Sequence, residues 1–414
     1  MKAPGNNALI FIIIAVAIDA IGLGIIIPVL PDLLVELTGQ PLNEAALHGG
    51  SLTFIYALMQ FVFMPIIGGL SDAYGRRKIM LLSLLALGID YIIMGLAPTI
   101  TILYIGRLIS GATGATYSTA NAFIADITPP EKRAQNFGMI GAAFGVGFVL
   151  GPAIGGLLGH FGTRVPFFAA AAVSLINVIY GFYFLPETLD KAKRRPFSWA
   201  RANAFGTLKS VLALPQMGGF LFVMFLFSFA HFAYPSAFAF FTKEAFKWSP
   251  SDVGWSLAFF GIASAFVQGY LIRIAIPKLG MIKCAIIGTV MNGAAFIGLS
   301  MATSGLIGYL WLMPAALGGL AGPAIQNLMS IRVAEDAQGE LQAANGALGG
   351  IAMMMSPLLM TWLFYRYAGA DKQIYFPGAP FLLAGSLVFL GLLVFIWAVR
   401  HVPVLQKDKA STDE

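Results

Sequence analysis

The sequence predicts an all-α membrane protein with twelve transmembrane helices arranged as two pseudo-symmetric six-helix bundles. Three observations carry that reading. Hydrophobic residues fill 58% of the 414 positions and charged residues only 11%, against about 25% charged in an ordinary water-soluble protein. Apolar runs near the roughly 20 residues that cross a bilayer as a helix recur along the whole chain. Several stretches of the first half return in the second half at one fixed offset.

The runs predict helices 1 to 12 at 7–29, 49–70, 79–97, 99–122, 136–158, 165–185, 217–240, 253–272, 283–302, 306–329, 343–365 and 379–400. The first is too long for a signal-peptide core and ends in Pro28-Val29-Leu30-Pro31-Asp32, without a small-residue cleavage site, so it reads as a retained helix. With the N-terminus in the cytoplasm, 19 of the 25 Lys and Arg residues fall on the cytoplasmic side. The other side receives only Arg164, Lys243, Lys247, Arg366 and Lys372, and Arg107 lies inside a span. The positive-inside rule then puts both termini and the long central loop in the cytoplasm.

Residues 1–185 form the predicted N-terminal bundle, 186–216 the central loop, 217–402 the C-terminal bundle and 403–414 a cytoplasmic tail. The loop carries Lys191-Ala192-Lys193-Arg194-Arg195, followed by an amphipathic piece with Trp199, Phe205 and Leu208. It reads as a solvated linker on the anionic inner leaflet, with regulatory binding as the alternative. A shift of 205 carries Gly141, Gly145 and Pro152 to Gly346, Gly350 and Pro357, Gly75 and Lys78 to Gly280 and Lys283, Asn121 to Gln326, and Glu131 to Asp336. Duplicated halves about an axis along the membrane normal are an architecture of secondary transporters.

Charge inside the membrane is where chemistry is expected, because a charged side chain at mid-bilayer costs roughly 2.5–3.5 kcal/mol on the insertion scale. Only Asp19 and Asp90 among the acidic residues sit well inside a span. At about 1.5 Å of rise per residue, Asp19, Asp90 and Arg107 lie about 15, 10 and 12 Å below the outer ends of helices 1, 3 and 4. Two carboxylates beside one guanidinium leave a net negative site that a proton or a cationic substrate neutralises, which is what proton-coupled exchange requires. The alternative is that Arg107 pairs permanently with one Asp and locks helices together. His231 and Asn292 lie at similar depth in the second half, and Tyr56, Gln60, Asn121, Gln268 and Gln326 add neutral polar groups for a substrate cavity or for bridges between helices.

Around the helix 5 stretch Gly147, Gly151, Pro152, Gly155 and Gly156, small residues let a neighbouring backbone approach, and Pro152 favours a bend. After helix 4, Thr128-Pro129-Pro130-Glu131 predicts a capped helical turn, with Pro129 as its first residue, ahead of helix 5. No nucleotide-binding loop, nucleophile elbow or dinucleotide fingerprint occurs, so chemistry on the substrate is not expected. The four histidines stand singly and Cys284 is the one cysteine, which suggests no metal, cofactor or disulfide. The basic loops read as topology signals, not nucleic-acid sites.

The turn Gly68-Gly69-Leu70-Ser71-Asp72-Ala73-Tyr74-Gly75-Arg76-Arg77-Lys78 resembles the cytoplasmic loop signature of the major facilitator superfamily. Arg107 to Gly111 is similar to its helix 4 signature, Gly147 to Gly156 to its helix 5 antiporter signature, and Asp19 to Pro31 to its helix 1 signature. Over nearly the whole chain the resemblance is to the twelve-helix drug/proton antiporters of the tetracycline-resistance efflux type. It implies the major facilitator fold, rocking of two halves, and proton influx driving drug efflux across a bacterial inner membrane. It also implies roles for Asp19, Asp90 and Arg107 in coupling, and for Asp72, Arg76 and Asp126 in a cytoplasmic charge cluster with Gly68 and Gly75. That type has an Asp in helix 9 where Asn292 stands and a His in helix 8 where Ser264 stands. The expected protein is a monomeric antiporter for protons and an amphipathic drug-like molecule. Export of a sugar or other metabolite, or a non-transporting sensor of the same fold, remains open.

Overall fold

The computed structural model describes residues 6–114, 116–199, 214–334, 337–369 and 372–403. Phe205, Leu208, Asp336 and residues 404–414 lie outside them. Among the described residues the regular elements are all helical, and eleven helices are long and apolar enough to cross a membrane.

Helices 1, 2 and 3 span Asn6–Ile26, Leu42–Tyr74 and Arg76–Leu96. Helix 4 comprises Ile100–Thr113 and Thr116–Ile127, helix 5 is Pro130–Gly159, and helix 6 is Val165–Phe184. Helix 7 comprises Gly218–His231 and Ala233–Phe246, and helix 8 runs Pro250–Leu279 with a π-helical segment at Val267–Leu271. Helices 9 to 12 are Met281–Ser300, Gly305–Ser330, Gln338–Tyr367 and Ala379–His401.

Several helices outrun their apolar stretches. Helix 2 begins at residue 42 instead of 49, and helix 8 ends at 279 instead of 272. Hydropathy marks the hydrocarbon layer, whereas backbone hydrogen bonding continues through the headgroups. Helix 5 starts at Pro130 and runs unbroken, so there is no separate turn before it. Pro129 is its N-cap, and the Thr128 hydroxyl accepts from Asn136 at 2.9 Å. A short helix, Leu30–Thr38, follows helix 1 and buries Leu33 and Leu34 before Gly39 ends it at φ +67°. Nine residues are too few for a transmembrane pattern to reveal it.

Helix 4 is interrupted at Gly114, and the amide of Gln60 donates to the freed Gly114 carbonyl at 2.9 Å. A side-chain donor of this kind lets irregular backbone persist at membrane depth. The repeat positions Gly75 and Gly280 end helices 2 and 8 with positive φ, 108° and 81°, a conformation a side chain disfavours.

The halves meet where helix 5 crosses helix 8 and helix 2 crosses helix 11. On one side of the membrane they touch closely: a Cβ on Gly156 would lie 2.6 Å from the Pro250 carbonyl, and one on Gly50 would lie 2.8 Å from the Pro357 carbonyl. Lys243 of helix 7 and Asp32 of the short helix form an ion pair across the halves on that same side. At the other end of these helices, a Cβ on Gly68, Gly138, Gly141, Gly346 or Gly349 would meet nothing within 4 Å. The molecule is therefore closed on one side and splayed on the side carrying the helix 2–3 and 8–9 turns.

Candidate functional site

Asp90 is fully buried, and its Oδ2 accepts a hydrogen bond from Arg107 Nη2, joining helices 3 and 4. The same nitrogen lies 2.7 Å from Met94 Sδ, and the guanidinium stands 5.4 Å from the centre of the Tyr56 ring. Asp19 comes in from helix 1 half-buried, with no hydrogen bond or ion pair to any described residue. Arg107 thus links Asp90 of helix 3 to the face of the Tyr56 ring of helix 2. Gln60 bonds the Gly114 carbonyl and lies 3.4 Å from the Tyr56 hydroxyl. Tyr91 was not anticipated: it is fully buried next to Asp90 and packs against Gly22 of helix 1. Asn121 is half-buried further along helix 4.

Such a site can exchange a proton. Asp90 is held by the Arg107 guanidinium, whereas Asp19 has no ion pair among the described residues, so Asp19 is the carboxylate freer to change its protonation state.

In the second half, His231 Nδ1 contacts the Phe227 carbonyl at 2.8 Å, and a carbonyl only accepts, so Nδ1 carries the proton. His231 Nε2 then accepts from Asn292 Nδ2 at 3.3 Å, which fits a neutral imidazole. Asn292 Oδ1 is buried without a partner. Around them stand the rings of Tyr234, Phe260, Phe296 and Phe381. Gln268 occupies the π-helical segment of helix 8, and Gln326 bonds Gln342 of helix 11 at 3.2 Å toward the splayed end.

At the helix 2–3 turn, Arg76 bonds Asp72 at 2.5 Å and Asp126 at 3.1 Å, bringing together three residues expected to meet there. The central loop completes this cluster. Glu187 Oε1 accepts from the Arg76 backbone N–H at 2.9 Å, Glu187 pairs with Arg194 at 3.7 Å, and the Arg195 N–H donates to the Asp72 carbonyl. Phe197 packs on Gly69. Instead of a freely solvated linker, residues 187–198 are docked on the turn.

The helix 5 residues divide by face. Gly147, Gly151 and Gly155 press on the helix 1 carbonyls of Ala17, Ile21 and Ile25, while Pro152 and Gly156 press on Gly254 and Ser251 of helix 8. One motif thus serves packing within a half and contact between halves.

The family profile described as Major Facilitator Superfamily matches residues 12–357, and again 220–414. The chain belongs to this superfamily. It is a multi-pass membrane transporter and not an enzyme. It is 37% identical over 359 residues to tetracycline resistance protein, class C, of Escherichia coli, covering 87% of this chain and 90% of that protein. To the class G protein of Vibrio anguillarum it is 37% identical over 367 residues, 88% and 92% of the two chains. Multidrug resistance protein 2 of Bacillus subtilis (strain 168) is 29% identical over 409 residues, 96% and 97% of the two. Among solved structures, a bacterial homologue of the human lysosomal transporter Spinster superimposes with a TM-score of 0.75 at 15% identity, over 97% of this chain and 98% of that one. The human organic anion transporter MFSD10 gives 0.69 at 22% identity, over 94% and 99%. At these identities the structural matches speak for the fold alone.

Proposed function

We propose that this superfamily member is a proton-coupled antiporter that exports an amphipathic, drug-like organic compound across the bacterial inner membrane by alternating access. The observation that carries the proposal is Asp19, a mid-membrane carboxylate without an ion partner among the described residues, in the half that also holds the Asp90–Arg107 pair. Protonation of Asp19 and occupation by substrate compete, and the exchange follows from that competition. The names of the tetracycline and multidrug resistance relatives support a drug as the exported molecule. Tetracycline itself is the less favoured cargo, because Asn292 and Ser264 stand where the tetracycline type has its second-half carboxylate and histidine.

Both termini face the cytoplasm on this reading, since the basic residues gather on that side. The splayed end then opens inward, and Lys243–Asp32 closes the outer face. Each chain works as a monomer, with Asp72, Arg76 and Asp126 bracing the inner end.

The test is reconstitution with an imposed pH gradient. Native protein should move protons when a transported dye is added, and Asp19→Asn should retain dye binding and counterflow while proton movement disappears. Full proton coupling in Asp19→Asn would overturn the proposal.

A further inference from the structure

Three residues beyond Asp19, helix 1 has no side chain at Gly22, and the Tyr91 hydroxyl of helix 3 fills the notch: a Cβ on Gly22 would stand 2.6 Å from that oxygen. Residues three apart on a helix share a face, with Cβ positions about 5–6 Å apart. Rotation of the Asp19 side chain therefore brings its carboxyl within reach of the phenol oxygen. Tyr91 is fully buried, and its hydroxyl has no hydrogen-bond partner. Leaving a buried donor unpaired is costly. Asp19 is the complementary case, half-buried at membrane depth with no ion pair among the described residues. One is a donor lacking an acceptor; the other, once ionised, is an acceptor lacking a donor.

Few other groups compete for that place. From helix 3 comes Asp90 and from helix 4 Arg107, and these two are bonded to each other. Helix 2 brings Tyr56, whose ring lies against the Arg107 guanidinium. Helix 5 meets helix 1 at this level through Gly147 and Gly151, and helix 6 has no ionisable residue from Val165 to Val178. Asp126, near the inner end of helix 4, is engaged by Arg76.

We propose that Tyr91 is the positioning residue of the proton step, its hydroxyl donating to the Asp19 carboxylate whenever Asp19 is ionised. The enclosed ring stays in place and the Asp19 side chain turns to it. On deprotonation the Asp19 O–H bond breaks and its proton passes to water at the splayed end, while the phenol keeps its own proton and shares it in the hydrogen bond. The inference rests on the antiport reading and deepens it, giving the ionised state a partner in a layer where a bare charge is costly.

Tyr91→Phe keeps the ring and removes only the donor. The full chain in nanodiscs is titrated by difference infrared spectroscopy without cargo, and the protonated-carboxyl band that Asp19→Asn abolishes reports Asp19. Removing a bond made to the ionised form makes the proton harder to release. Tyr91→Phe should therefore raise the midpoint of this band by about one to two pH units, the size of a hydrogen bond to a charged group. Gly22→Ala is a second arm, because its methyl takes the space of the hydroxyl and pushes it from the notch. It should move the midpoint in the same direction, and add nothing in the Tyr91→Phe background.

An unmoved midpoint in Tyr91→Phe, with or without a loss of thermal stability, is what a purely packing role produces, and it overturns the proposal. Should Tyr91→Phe not fold, an unmoved midpoint in Gly22→Ala overturns it equally. The export reading fails separately. A raised midpoint in Tyr91→Phe with no dye-driven proton movement in the native chain sinks the antiporter and spares Tyr91. Native proton movement with an unmoved midpoint in the variant does the reverse.

Discussion

At mid-membrane the N-terminal half holds Asp19, Asp90 and Arg107, whereas the C-terminal half holds the neutral His231–Asn292 pair among Tyr234, Phe296 and Phe381. Both halves descend through the same helix order and turn at equivalent glycines, Gly75 and Gly280. The fold therefore does not dictate where charge sits. On the proposed antiport, the charge of the first half would serve proton exchange and the aromatic surface of the second would face the apolar cargo.

The comparison breaks most visibly at Arg107. Arg107→Leu leaves the fully buried Asp90 without its partner, a loss of about 3–5 kcal/mol for a buried pair. His231→Phe removes only neutral hydrogen bonds, each worth about 0.5–1.5 kcal/mol. Thermal unfolding in detergent should fall far more for Arg107→Leu than for His231→Phe, and Arg107→Leu combined with Asp90→Asn should recover most of the loss. Equal destabilisation by the two single variants would erase the contrast between the halves.

Moving the charge sharpens it. Asn292→Asp replaces an amide that donates to His231 Nε2 with a group that only accepts when ionised, so the second half gains a proton-exchanging pair. In the Asp19→Asn background this change should restore roughly a tenth or more of the dye-driven proton movement, enough for a pH-sensitive dye trapped in vesicles to register. A double variant as silent as Asp19→Asn would show that helix 1 supplies something besides a carboxylate.

Much of this was legible in advance, for physical reasons. Hydrocarbon demands long apolar helices, so their number and order stood out, although the interruption of helix 4 at Gly114 did not. An intramembrane Asp or Arg is conspicuous by its cost, so Asp19, Asp90 and Arg107 could be picked out without a structure. Contacts that depend on chain path were hidden. Glu187 and Arg194 look like ordinary loop charges until the loop folds back onto Arg76. Leu30–Thr38 is short, and Pro31 gives it a start that reads equally well as a loop. The cleft between helices 5 and 8 is a product of their divergence, and no local pattern around Gly141 or Ser264 announces it.

The smallest effect separates the two faces of the membrane. Lys243–Asp32 ties the halves together on the closed face, whereas Asp72, Arg76, Asp126 and Glu187 all belong to the first half and its loop. Breaking the first favours opening on its own side, while breaking the second loosens one half without choosing between conformations. Both are partly exposed, and such bridges contribute about 0.2–1 kcal/mol. At 1.4 kcal/mol per tenfold, Lys243→Gln should shift the balance of conformations by no more than about fivefold. Hydrogen exchange at the ends of helices 2, 7 and 11 that bear Gly50, Lys243 and Thr361 should quicken by that factor. Asp32→Asn should match it, and the double variant should add nothing further. Asp72→Asn should leave those amides unchanged and quicken exchange in residues 187–198, where the loop rests on the turn. If Asp72→Asn instead accelerates the Gly50 and Thr361 ends, the inner cluster also holds the halves in register, and the contrast between the two faces fails.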